Sequence, residues 1–113
     1  MRMKKSCLLP ALPNRAMTRL EERLAALAAS GTTIAYGALA RELGWRVSDL
    51  TDALERLMEV DAATGAPQRA ALLEARLGNG MPAPGFFLKL AELGLNPDDP
   101  ATFVAETRAR LHP

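Results

Sequence analysis

One thiol and one imidazole are available to this chain, and they stand at its two ends, as Cys7 and His112. A cysteine becomes a nucleophile when a neighbouring base or positive field stabilises its thiolate. No histidine lies near Cys7 in the sequence, so it reads as an incidental thiol of the N-terminal tail. A single cysteine makes no intrachain disulfide, and one cysteine with one histidine falls short of the four ligands of a structural zinc site. No glycine-rich phosphate loop, metal-ligand spacing or pair of carboxylates in an evident cleft accompanies them, and Gly78-Asn79-Gly80 reads as a turn. With no catalytic constellation to assemble, the expectation is a protein that is not an enzyme, with no metal, no cofactor and no evident small-molecule substrate.

The remaining chemistry is that of binding. Lys and Arg number 14 against 13 Asp and Glu, a net charge of +1. A protein held to DNA through phosphates usually carries a clear basic excess, which this composition lacks. The acids are concentrated: Asp49, Asp52, Glu55, Glu59 and Asp61 crowd one segment in which Arg56 is the only cation. Basic residues fall elsewhere, at Arg2, Lys4 and Lys5, at Arg15, Arg19 and Arg23, and at Arg69 and Arg76. The start of the chain is basic and briefly apolar, but Pro10 and Pro13 interrupt it before a signal-peptide core can form. No apolar run approaches the roughly 18–20 residues of a membrane span. The expected location is therefore cytoplasmic, without membrane attachment.

The elements that must carry these side chains can be read from apolar spacing and punctuation. At 113 residues, rich in alanine and leucine and only 4% aromatic, the chain should form one mainly helical domain. Residues 1–14 read as a flexible tail and 15–113 as the domain. Asn14 can cap a helix over about 15–29 that buries Met17, Leu20, Leu24, Leu27 and Ala28, with Ser30-Gly31 as its stop. Thr32–Ala35 is short and β-prone. Tyr36–Leu43 is a short helix ending at Gly44, and Trp45-Arg46-Val47 is a turn. Ser48 is placed to cap a third helix running to about Val60, whose buried stripe is Leu50, Ala53, Leu54, Leu57 and Met58. Asp61–Pro67 reads as a loop. Residues 69–77 read as a strand entering a hairpin at Gly78–Pro82, with a helix as the alternative. Phe86–Leu93 and Pro100–Leu111 complete the chain as helices, the second capped by Asp99 with Pro100 in its first position. Its expected buried residues are Phe103, Thr107 and Leu111.

Thr33-Ile34-Ala35-Tyr36-Gly37-Ala38-Leu39-Ala40 resembles the T-x-x-Y-G-x-L-A segment that opens the DNA-binding C-terminal domain of the O6-alkylguanine-DNA alkyltransferases and the alkyltransferase-like proteins. Gly80-Met81-Pro82-Ala83-Pro84-Gly85-Phe86-Phe87 is similar to a G-x-P-x-x-G-F-F segment of small bacterial proteins that share this start. The resemblance covers about residues 30–60, reaching toward a wing near residue 85, and implies a winged helix-turn-helix, to which the spacing above adds a small β-hairpin and two C-terminal helices. It also implies a phosphate contact for Tyr36, the alternative being a tyrosine that caps the strand–helix corner with its ring in the core. The alkyl-accepting cysteine of P-C-H-R has no counterpart here. Ser48 stands where the alkyltransferase-like proteins place the arginine that helps extrude a base, and serine supplies no wedge against the cost of unstacking. Alkyl transfer is thereby excluded.

Two functions follow as expectations for a bacterial or phage-borne chain. In one, the chain is a nucleic-acid-binding or regulatory module touching duplex DNA through Tyr36, Arg46, Ser48, Thr51, Arg69 and Arg76. In the other, it is a protein-interaction module binding its partner through Asp49, Asp52, Glu55, Arg56 and Glu59. The fold resemblance favours the first. The charge favours the second, because a helix entering a major groove normally brings Arg, Lys, Asn or Gln to the base edges.

Overall fold

Residues 14–113 are described by a computed structural model, and their architecture is mainly helical. Helix α1 (Asn14–Ser30) starts at Asn14 itself and buries Leu20, Leu24 and Leu27, with Met17 and Ala28 at the margin of the core. It ends as a helix must when its last carbonyls need partners. Gly31 turns left-handed at φ 70°, its N–H reaches the Ala28 carbonyl, and the Thr32 N–H reaches that of Leu27. The tail and Cys7 lie outside the described residues, apart from Asn14.

Strand β1 (Ile34–Ala35) runs directly into helix α2 (Tyr36–Leu43), which buries Leu39, Ala40 and Leu43. Gly44, at φ 75°, stops α2 as its sequence predicts, and the Trp45 N–H returns to the Ala40 carbonyl. Helix α3 (Val47–Thr64) then lays down the whole predicted stripe of Leu50, Ala53, Leu54, Leu57 and Met58. Both of its ends differ from the sequence reading. Arg46, not Ser48, occupies the capping position, with φ −76°, ψ 154° and no side-chain bond to the helix. At the far end α3 runs through the expected loop to Thr64, because Asp61 is a buried residue facing the core and Gly65 is the first left-handed stop.

Past α3 the chain crosses the core as a 3₁₀ turn (Arg69–Leu72) followed by strand β2 (Leu73–Glu74). Helices α4 (Pro84–Glu92) and α5 (Pro100–Leu111) follow. The second strand therefore exists, but not in the hairpin the sequence suggested. It pairs parallel to β1, Ile34 opposite Leu73 and Ala35 opposite Glu74, and this is the only sheet among the described residues. The reason lies in burial. Ala70, Ala71, Leu72 and Leu73 are all in the core, so their backbone needs a partner already inside, and β1 supplies it. The returning residues 81–84 include Pro82 and Pro84, which have no N–H to donate to a ladder. What remains of the hairpin is a closed loop, in which the Ala75 N–H donates to the Met81 carbonyl at 2.7 Å. Gly78 is required there, since a Cβ would stand 2.9 Å from that carbonyl oxygen.

Both C-terminal helices form. In α4, Phe86 and Leu90 are buried. In α5, Asp99 caps through the Thr102 amide at 3.3 Å and hydroxyl at 2.7 Å. Val104 and Thr107 are buried, while Phe103 and Leu111 only flank the core. Arg108 ties α5 to the middle of the chain. Its guanidinium donates to the carbonyls of Ala71 at 2.7 Å, Gly80 at 2.8 Å and Leu73 at 3.4 Å. Burial pulls its pKa below the ordinary arginine value, yet an arginine remains charged, and the carbonyl dipoles take the place of water around it. No helix of the described residues is long and apolar enough to cross a membrane.

Asp61 accepts the Arg69 backbone N–H at 3.0 Å and the Arg69 guanidinium at 2.9 Å. Removing it leaves a half-buried N–H and a half-buried cation without their acceptor. Asp61→Ala is expected to lower unfolding stability by about 2–4 kcal/mol, and Asp61→Asn, which keeps one acceptor, by clearly less. Urea denaturation of both, with exposed Glu22→Ala as the reference, checks this; equal midpoints for Asp61→Ala and Glu22→Ala would refute it.

Candidate functional site

The candidate contact residues separate into two places. Arg69 spends its guanidinium on two carboxylates of the same chain. Its Nη1 donates to Glu21 Oε2 at 3.0 Å on α1, and the rest of the guanidinium holds Asp61. Both carboxylates raise its pKa, Asp61 most through its hydrogen bonds, and burial opposes them. Asp61 lies fourteen residues beyond Val47 on α3, about 21 Å along the axis at 1.5 Å per residue. Arg69 is thus a fastener between α1 and the far end of α3, remote from the other candidates.

The others gather at the start of α3. Arg46 and Ser48 are exposed there, and Arg46 Nε reaches Asp49 Oδ2 at 3.3 Å. The Thr51 hydroxyl donates to the Val47 carbonyl at 3.0 Å, one turn earlier. Beside them opens a groove of about 280 Å³. Helix α3 lines it with Val47, Thr51 and Glu55, the loop after β2 with Ala75 and Arg76, and the start of α4 with Gly85 and Phe86. Tyr36, at the corner where β1 becomes α2, also lines it. Tyr36, Thr51 and Arg76 therefore do come together, as the sequence grouped them.

Tyr36 is largely a structural residue in this setting. Its hydroxyl accepts the Ala83 backbone N–H at 3.1 Å and so fastens the segment before α4 to the start of α2. Burial pushes its pKa above the usual tyrosine value, with the Ala83 bond and the nearby Arg108 charge pulling the other way.

The acidic segment is less uniform than its sequence. Asp61 is in the core and is not part of the outer face. Glu59 bonds Lys89 of α4 at 2.7 Å, which holds the lysine's pKa up, chiefly through that hydrogen bond. Asp49 is beside Arg46. Asp52 is exposed and Glu55 half-exposed at the groove, and neither has a cation within ion-pair distance among the described residues. Arg56 is half-exposed on the same helix.

Sequence reasoning missed Val47, Gly85 and Phe86 as groove residues. In sequence Val47 reads as part of a turn and Phe86 as the start of a helix. A signal was present in the Gly80–Phe87 segment, whose glycine at 85 follows two prolines at a helix start. Comparison of the chain with family models, with curated proteins and with solved structures returns no match.

Tyr36→Phe removes the acceptor of the Ala83 N–H and is expected to cost about 1 kcal/mol at neutral pH. The pH dependence has a definite sign. A folded-state pKa raised above the unfolded value near 10 means that the folded chain keeps a proton the unfolded chain releases. This residue therefore has no effect on the slope at pH 7–9 and makes stability fall as pH rises beyond about 10. Chemical denaturation at pH 7, 9 and 10.5 should show the wild-type advantage shrinking at the highest pH; a constant difference would contradict it.

Proposed function

We propose that this chain is a non-catalytic binding module of winged helix-turn-helix type, its wing reduced to the loop over residues 75–81, that recognises a basic protein partner through the outer face of α3. The class reading is supported by the order α1, β1, α2, α3 and by the resemblance of residues 33–40 to the alkyltransferase start. The partner reading is carried by one observation. Asp52 and Glu55 form no ion pair among the described residues, while Arg46, Arg69 and Lys89 already sit beside carboxylates, and Lys89 alone stands against Glu55, Glu59 and Glu92. Arg2, Lys4 and Lys5 supply the whole positive excess of the composition, so residues 14–113 are net acidic. A face on which carboxylates outnumber cations repels a polyanion at close range and attracts a cationic surface.

A second reading, duplex DNA, is favoured by Arg46 and Ser48 exposed at the start of α3 and by Arg76 exposed at the groove with no carboxylate in ion-pair distance among the described residues. In that reading phosphate contacts from these residues replace direct base reading by the middle of α3.

The two readings separate in one pair of variants. Quantitative affinity capture from the source organism is expected to recover a partner with wild type that Asp52→Lys/Glu55→Lys recovers at least tenfold less. Equal recovery refutes the partner reading. Binding of a random-sequence duplex at 50 mM salt with micromolar or tighter affinity, lost in Arg46→Ala/Arg76→Ala and strengthened by the Asp52/Glu55 reversal, would establish DNA instead.

A further inference from the structure

The groove beside α3 has a chemistry of its own. Its floor and walls are apolar, from Val47, Ala75, Phe86 and the backbone face of Gly85, and its charged members, Glu55 and Arg76, stand on different segments. A volume of about 280 Å³ lies just under the roughly 300–1,000 Å³ of sites that enclose a drug-sized ligand. It is ample for one large side chain. Val47, which lines the groove, is 49% exposed, and the loop and helix that supply the other walls also carry exposed apolar residues outside the lining, Leu77 at 93% and Leu88 at 68%. Apolar side chains left exposed around a concave surface, with charge nearby, mark a contact with another chain.

We infer that the groove is an anchor subsite that takes one large apolar side chain, of leucine or phenylalanine size, from a short segment of a partner protein. A Lys or Arg next to that anchor pairs with Glu55 and Asp52. This deepens the proposed function and rests on it. The charge asymmetry fixes the polarity of the segment. The cation lies on the α3 side, and Arg76 disfavours a second cation on the loop side while accepting a carboxylate or a backbone carbonyl there. The anchor supplies affinity through apolar burial and the carboxylates supply selectivity, a division common in recognition of short segments.

Gly85 provides a clean way to close the groove. A Cβ built there meets nothing within 4 Å, and its φ is not in the left-handed region, so Gly85→Leu adds a side chain in open space without straining α4. The probes are labelled, end-blocked nine-residue peptides with Leu, Phe or Ala at the centre, flanked by Lys, Ser or Glu. Binding to the full chain is read by fluorescence anisotropy. The expected result is binding of the Lys-flanked Leu and Phe peptides. Affinity should fall at least tenfold with a central Ala, with Glu flanks, in Gly85→Leu and in Asp52→Lys/Glu55→Lys. Thr51→Trp is the second groove-filling variant, and thermal melts confirm that both variants are folded.

If charge reversal abolishes binding and groove filling does not, the inference fails and the acidic-face function stands. If neither variant changes binding, or if no peptide prefers an apolar centre with basic flanks, the inference fails. Peptide binding that appears only once residues 2–13 are deleted, and is then lost in Gly85→Leu, would make the chain's own basic start the occupant and overturn the external partner. Displacement of the peptides by a duplex, in proportion to its salt-dependent affinity, would likewise overturn it in favour of DNA.

Discussion

The path of the chain after α3 depends on one carboxylate. Asp61 is a charge taken out of water at the end of a long amphipathic helix, which only a strong partner makes tolerable. Arg69 supplies that partner twice, through its guanidinium and its own backbone N–H, so the residue that neutralises the charge is also held in direction. Gln68 adds a hydrogen bond from Nε2 to the Met58 carbonyl at 3.1 Å. Together these bonds reverse the chain within a few residues of Gly65 and aim Ala70–Leu73 back through the core. The parallel pairing of β2 with β1 follows from that direction.

Once β2 is beside β1, the remaining architecture is a matter of satisfying what the crossing leaves open. Arg108 of α5 takes up the carbonyls of Ala71, Leu73 and Gly80, and the Thr33 hydroxyl binds Glu74. The Tyr36 hydroxyl takes up the Ala83 amide where two prolines leave the segment no regular partner. Arg108 of α5 and Tyr36 of α2 thus do for these backbone groups what a wider sheet would otherwise do. The loop over residues 75–81 is left protruding, closed on itself and carrying the exposed Leu77 and Arg76.

Charge distribution on this scaffold shapes what it can bind. Arg23 with Glu42 joins α1 to α2, and Lys89 with Glu59 joins α4 to α3. Exposed pairs of this kind contribute little stability, about 0–1 kcal/mol each, but they remove both charges from the field a ligand meets. At the groove itself the charged lining groups are Glu55 on α3 and Arg76 on the loop, with Asp52 and Arg56 elsewhere on α3 outside any ion pair among the described residues.

Local chemistry alone determined the helices and their inward faces. Leucine and alanine spacing marked the buried stripes of α1 and α3, and Gly31 and Gly44 marked the stops of α1 and α2, because helix periodicity and left-handed caps are written within a few residues. Asp99 before Pro100 likewise marked the start of α5. Only the tertiary structure decided the rest. Residues 70–73 are short and apolar, and such a run has no period to declare its partner; burial against β1 selected a parallel pairing over a hairpin. Asp61 and Arg69 read as surface charges until the fold brought them together across eight positions, with Glu21 joining from α1. The groove left only a partial trace in the sequence, the glycine at 85 after two prolines, since Tyr36, Val47, Arg76 and Gly85 meet only because the Asp61–Arg69 reversal and the Tyr36–Ala83 bond place four separate segments around one space.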